Sequence, residues 1–445
     1  MENFIDKLKQ KNGQLKIAEK TNKTEKEKIV AENPLVMCCV TMGKELHVGH
    51  LFLITIADQI KSGLDGNLPV VLVNNNTGPR SAGALVRYSE SNKISLEDAA
   101  KTMNSGRIDP SSVVNAYKNR IEEPSLIGYA NEILDTGDFD IFFAVAKDAE
   151  KTLSDSGYDV DVVSGALLLK ESREKIRSIN SIWGGSGFLP VVADKRVVLI
   201  EKAGNLTATG ALLSSTMALG KWRSSDLVVI VDSQPDAADA AFVQSKITRG
   251  QLGVQAMGAG VGIGGEIASG TKGEALTIKE VSKRFYNMRP EGNLRKAVIF
   301  FTLTSSLYMP KGSNELKDSF YNFDNNNQII LELVKSCDEL NTFNQSVIFA
   351  MERLSLRVSD FSASSDVGAN KFLEFLQAKS LTLLNGEKDR VLSESRKIVL
   401  GVRQNYYFNQ LKMILKIIEA ISSLTEDQFL TIGKMLQFCL ERTGI

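Results

Sequence analysis

The stretch Leu35-Val36-Met37-Cys38-Cys39-Val40-Thr41-Met42-Gly43-Lys44-Glu45-Leu46-His47-Val48-Gly49-His50-Leu51 decides how the rest of the chain is read. Its first six residues are apolar without alternation, as in a parallel strand buried on both faces. Met42-Gly43-Lys44 reads as a turn, and a helix is expected to begin near His50 and continue through Leu51–Ser62. The chain has two histidines, and both stand in His47-Val48-Gly49-His50. Ligands of open α/β sheets bind where strands end in this way, and a helix N-terminus attracts phosphate oxygens. Reaction at the α-phosphate of ATP builds charge on a five-coordinate phosphorus and on the departing pyrophosphate. Imidazole N–H donors stabilise such charge where it develops, and Gly49, lacking a side chain, lets adenosine approach the backbone. Two exposed histidines at an ordinary helix start are the plainer alternative. Zinc is disfavoured, because paired histidine ligands on a helix usually stand four apart with a carboxylate between or nearby.

Outward from this stretch, four further apolar runs read as strands: Pro69–Val73, Arg196–Ile200, Leu227–Val231 and Ala297–Leu303. Helical stretches such as Ala211–Trp222 lie between them, and alternation of strand and helix predicts an α/β fold with a Rossmann-like parallel sheet. The more polar span of about 91–180, with helical patterns at Ser95–Met103 and Ala146–Ser154, reads as a helical insertion. Past an Asn-rich loop at Tyr321–Asn327, the amphipathic stretches Ile329–Cys337, Val347–Leu356, Lys371–Leu376 and Tyr407–Ile421 predict an all-α bundle. The expected domains are a charged N-terminal helical arm over 1–33, a catalytic domain over 34–305 and a helical bundle over 306–445.

Composition narrows the class. The 445 residues are 43% apolar and 24% charged, ordinary for a globular chain of two or three domains. Lys+Arg and Asp+Glu are each 53, so net charge offers no support for nucleic-acid binding. Cys38, Cys39, Cys337 and Cys439 include no CxxC and read as reduced core residues of a cytoplasmic protein. Met1–Val30 is rich in Lys and Glu and lacks the apolar centre of a secretory signal, and no apolar run approaches a membrane span. The glycines from Gly258 to Gly265 come too late in the chain for a first-turn dinucleotide site. Gly220-Lys221 is followed by Trp222, so it is not a Walker A motif.

Several blocks, in order from Leu35 to Phe301, resemble arginyl-tRNA synthetases, a family of class I aminoacyl-tRNA synthetases. Lys44-Glu45-Leu46-His47-Val48-Gly49-His50-Leu51 with Ile56-Ala57-Asp58 is similar to the family's HIGH signature. Val73-Asn74-Asn75-Asn76-Thr77-Gly78, Gly204-Asn205-Leu206-Thr207, Asp226 to Gln234, Met257-Gly258-Ala259-Gly260 and Ser269-Gly270-Thr271-Lys272-Gly273 follow where other family motifs fall. Thr41-Met42-Gly43 with the histidine pair also resembles pantothenate synthetase. The synthetase resemblance implies a Rossmann-like sheet of the HxGH (HUP) type followed by an anticodon-binding bundle. It implies ATP with Mg2+, an amino acid and tRNA as ligands, and protein biosynthesis as the setting. It assigns His47, His50 and Lys44 to catalysis, and Met42, Gly43, Gly49, Gly258, Gly260, Ser269 and Lys272 to ATP. Cys39, Thr41, Asn76, Thr209 and Gln234 fall to the amino acid.

The departures concern that amino acid. The family's Ser and Asn before the signature are Cys39 and Thr41, and its Tyr and Asp fall on Asn205 and Thr209. A guanidinium buried without a carboxylate costs several kcal/mol, so a smaller or neutral amino acid is expected rather than arginine. Thr271 stands where the family's second loop has Arg. Two alternatives follow: a diverged paralogue that binds tRNA or protein without aminoacylation, and an enzyme that passes its activated amino acid to a non-tRNA acceptor.

Overall fold

The computed structural model describes residues 35–40, 43, 45–63, 70–74, 78–136, 138–165, 176, 191–192, 195–200, 206–225, 227–232, 235–247, 252–256, 260–267, 275–305, 320–357, 400–420, 426–443 and 445. The N-terminal arm and Lys371–Leu376 lie outside them. β1 (Leu35–Val40) leads into α1 (Val48–Gly63) and β2 (Val70–Asn74). Five helices follow: α2 (Pro79–Asn92), α3 (Leu96–Asn104), α4 (Pro110–Lys118), α5 (Pro124–Asp135) and α6 (Phe143–Asp155). Then come β3 (Asp161–Ser164), the hairpin of β4 (Val191–Val192) and β5 (Lys195–Arg196), and α7 (Ala208–Trp222). β6 (Leu227–Val231), α8 (Pro235–Ile247), β7 (Leu252–Ala256), β8 (Gly260–Ile263) and β9 (Glu266–Ile267) precede α9 (Ile278–Met288) and α10 (Leu294–Thr304). β10 (Phe320–Phe323), α11 (Asn326–Arg357), α12 (Leu400–Ala420) and α13 (Glu426–Thr443) complete the described elements.

Five strands form one parallel sheet in the order β3-β2-β1-β6-β7. The chain steps outward from β1 to β2 and β3, then returns to the other side of β1 for β6 and β7. The carboxyl ends of β1 and β6 therefore flank the topological switch point, where such sheets bind ligands. Unalternating apolar strands need cover on both faces, and they receive it. Val36, Cys38, Val40 and Val229 pack with α1 and the helices α2 to α6. Leu35, Met37, Val228 and Ile230 pack with α7 and α8.

The apolar run Ala297–Leu303 is a helix, α10, and not the expected strand. Asn293 caps it by accepting from the Lys296 N–H at 2.9 Å, and every residue from Ala297 to Leu303 is buried. An apolar run buried on all sides reads alike for strand and helix. Arg196–Ile200 is also no strand of the parallel sheet. Only Lys195–Arg196 pairs, with Val191–Val192, while Ile200 bridges Leu206. Two strands of the parallel sheet, and the small β10-β8-β9 sheet, escaped the sequence. β3 lies inside the span read as an insertion and has two apolar residues, Val162 and Val163. β7 contains Gly253, where a Cβ would come 2.5 Å from the Ala241 carbonyl of α8. The Asn-rich stretch at Tyr321–Asn327 is not all loop: its first residues belong to β10, which pairs with β8. Ile329–Cys337 and Val347–Leu356 belong to one 32-residue helix, α11.

α11, α12 and α13 share a core that includes Ala350, Tyr407, Leu411, Ile414, Met435 and Leu436. α12 and α13 also pack on α1. Among the described residues, no helix is long and apolar enough to cross a membrane.

Candidate nucleotide-binding site

The turn after β1 is held from two sides. A Cβ on Gly43 would lie 2.3 Å from the Tyr117 ring, so the turn rests against that ring and only glycine fits. Leu46–Val48 then pairs with the segment that opens α9. The Val48 N–H donates to Leu276 O and the Ile278 N–H to Leu46 O, each at 2.8 Å, and His47 faces Thr277 in the bridge. Thr277 and Glu280 cap α9 reciprocally.

Within the tetrapeptide the backbone sets both imidazoles. The Gly49 N–H donates to His47 Nδ1 and the His47 N–H to His50 Nδ1, each at 3.2 Å. The rings stack with centroids 3.9 Å apart and planes 30° apart. An Nδ1 that accepts must carry its lone pair, so each neutral ring holds its proton on Nε2. This assignment follows from the hydrogen-bond pattern. Both Nε2–H groups therefore stand at the start of α1. A Cβ on Gly49 would stand 3.0 Å from the His47 ring and crowd it.

α1 is fixed behind them by three polar contacts on one stripe. The Thr55 hydroxyl meets the Tyr158 hydroxyl at 2.6 Å, and Gln59 donates to Thr302 at 2.8 Å. Arg295 Nε donates to the buried Asp58 carboxylate at 2.5 Å. Burial pushes the Tyr158 phenol well above its usual range, so it stays neutral in this network.

On the other side of the switch point, Cys39 lies half-buried near the end of β1. The register pairs Cys38 with Val231, so Asp232 follows β6 beside it. Burial first, and then the Asp232 charge, raise the Cys39 thiol well above its ordinary value, leaving a neutral group. Thr209, buried in the first turn of α7, donates to Asp236 at 2.8 Å. Asp236 stands in the first turn of α8. The N-terminus of α7 is set by Thr207, which accepts from the Gly210 N–H at 3.0 Å, and by Gly210 itself, whose Cβ would strike the Leu199 carbonyl at 2.1 Å.

Of the sequence-derived site residues, the fold brings His47, His50, Gly43 and Gly49 into one turn and sets Cys39 and Thr209 toward the carboxyl ends of the strands. Gly260 opens β8, and a Cβ there would meet nothing nearer than 3.8 Å, so packing does not demand glycine. Lys44, Met42, Thr41, Asn76, Gln234, Gly258, Ser269 and Lys272 lie outside the described residues. Sequence reasoning missed Asp236. Pro235-Asp236 is a readable helix start, but its partnership with Thr209 is a long-range contact. Beside Leu46 and Thr277, a cavity of about 120 Å³ opens toward α4 and α6.

By sequence, no family model and no curated protein matches the chain. By structure, two arginyl-tRNA synthetases are similar to it over most of its length. That of Thermus thermophilus gives a TM-score of 0.50 at 12% identity, covering 95% of this chain and 83% of its own. That of Plasmodium falciparum gives 0.55 at 12% identity, covering 94% and 77%. The fold is therefore class I arginyl-tRNA synthetase-like: mostly helical, around a small parallel sheet.

Proposed function

We propose that this chain is an ATP-dependent ligase that activates an amino acid. The amino-acid carboxylate attacks the α-phosphorus of ATP, the bond to the bridging oxygen breaks, and aminoacyl-adenylate and pyrophosphate form. The acyl group then passes to the 3′ end of a tRNA. The observation that carries this reading is the pair of Nε2–H donors at the start of α1, beside the switch point. Donors aimed where phosphate charge develops lower that barrier without moving.

His47 and His50 stabilise the transition state. Lys44, three residues before His47, and Ser269 and Lys272 bind the phosphates. Met42, Gly43, Gly49, Gly258 and Gly260 lie along the nucleotide, and a glycine at 260 that packing does not demand supports a close approach of the adenine there. ATP enters as its Mg2+ complex. Cys39, Thr41, Asn76, Thr209 and Gln234 surround the amino acid. In this reading 34–305 is the catalytic domain of HxGH (HUP) type, its insertion spans about 91–180, and 306–445 is the bundle that receives tRNA in the cytoplasm.

Thr209 itself offers no carboxylate to a guanidinium. Asp236 brings one to that hydroxyl, so basic side chains belong among the substrates tried. The deciding experiment is ATP–pyrophosphate exchange with each of the twenty amino acids, with and without total tRNA. Exchange with one amino acid, lost in His47→Ala, is the expected result. A folded chain that binds ATP yet exchanges with none of them refutes amino-acid activation of this kind.

A further inference from the structure

The first turn of α9 carries a charge that its position does not favour. Lys279 is the second residue of that helix, where backbone N–H groups concentrate positive potential. Its Nζ lies 2.6 Å from the Asp148 carboxylate of α6. Its charge also helps to hold Asp109, the N-cap of α4, below the usual carboxylate range, after the hydrogen bonds from the Ser111 side chain and backbone. The Lys279 and Asp148 side chains are 53% and 33% exposed, and an ion pair so wetted adds little to folding. Its effect is geometric. Asp148 and Lys279 lie on two walls of the cavity beside Leu46, and their pair ties those walls together. On the α9 side, Leu276 and Ile278 bond to Val48 and Leu46, the residues that flank His47. A shift of the α9 start is therefore a shift of the imidazole pair.

We propose that Lys279 is a positioning residue for the HVGH site: paired with Asp148 across the cavity, it couples the α4–α6 helices to the two histidines. The kinetic part rests on the nucleotide-transfer reading above, whereas the histidine geometry does not. Because the chain has two histidines, 15N-histidine labelling of the full chain resolves both rings, and long-range 1H–15N correlation reads their tautomers.

In the wild type both rings are expected to carry the proton on Nε2. Lys279→Met should move both toward tautomer averaging and leave the thermal midpoint nearly unchanged. It should also lower kcat for exchange by about 10- to 100-fold, with a smaller change in KM for ATP. Lys279→Arg, and the reversed pair Lys279→Asp with Asp148→Lys, should restore the spectrum and the rate. Unchanged histidine signals in Lys279→Met overturn the proposal, as does failure of both rescuing variants. If Lys279→Met does not fold, Asp148→Asn, which keeps the side-chain shape, decides in its place. A wild type without exchange removes the functional reading and leaves the histidine spectrum to decide this one.

Discussion

The HVGH turn, to which the proposed function assigns the phosphates, and the Cys39–Thr209 region, to which it assigns the acyl group, are built in opposite ways. On the phosphate side, four consecutive residues orient themselves: two backbone N–H groups hold two imidazoles, and both bonds span no more than three residues. In the other region, Thr209 reaches Asp236 through the packing of α7 on α8, and Cys39 comes beside Asp232 through the order of β1 and β6. A locally wired group has its partners at hand, and a brace such as the start of α9 sets how firmly they are held. A group wired through distant contacts can change its selectivity by substitution in any one of its elements.

The largest expected effect tests whether the phosphate side is as self-contained as its hydrogen bonds suggest. Asp58→Ala leaves Arg295 without its buried partner behind α1 and should destabilise the chain by about 3 kcal/mol, read from denaturant midpoints. If the two histidine tautomers survive in the fraction still folded, the tetrapeptide is locally determined. Their loss would make α1's anchoring part of the site. Next, His47→Ala removes one Nε2–H donor and the acceptor of the Gly49 N–H. Exchange should slow by about 10²–10³-fold with stability little changed, and an undiminished rate would move catalysis elsewhere.

A smaller and more selective effect belongs to the acyl side. Asp236→Asn removes a charged acceptor worth about 1.5–3 kcal/mol to a cationic partner, so kcat/KM for a basic amino acid should fall about tenfold or more. Neutral amino acids should be unaffected. Equal loss for both classes would place Asp236 in support of α7 rather than in the pocket. Gly260→Ala should leave the thermal midpoint in place, since only ordinary contacts await a Cβ, and weaken ATP binding several-fold in calorimetry. The smallest effect concerns pH. Burial and Asp232 raise the Cys39 thiol, so the folded chain holds this proton where an unfolded thiol, with a pKa of about 8.5, releases it. This contribution to stability is complete below that pH and declines as pH rises above it. Alkylation of Cys39 should accordingly be slow in the folded state until well past that value. Rapid labelling at neutral pH would show a reactive thiolate and a different acyl side.

How much was legible follows the same division. β1, α1 and β6 were readable because their apolar patterns are continuous or periodic over their full length. Gly43 and Gly49 were readable as special positions, although their steric reasons, the Tyr117 ring and the His47 ring, were not. Ala297–Leu303 was misread because complete burial erases the period that separates helix from strand. β3 was missed because only two of its four residues are apolar, and β7 because Gly253 and Gln255 interrupt its apolar run, the glycine serving a close helix approach rather than a turn.

The sequence by itself determined the imidazole pair and how it is held. Two histidines in one tetrapeptide, after a buried strand and at a helix start, have their partners within three residues, and near neighbours are always in reach. Only the tertiary structure decided that α9's first turn braces the HVGH turn, that Asp58 of α1 is matched by Arg295, and that Thr209 acquires the carboxylate of Asp236. Those pairs are separated by 27 residues or more. No local pattern sets which distant side chains meet, because that depends on strand order and helix packing, which the whole chain determines together.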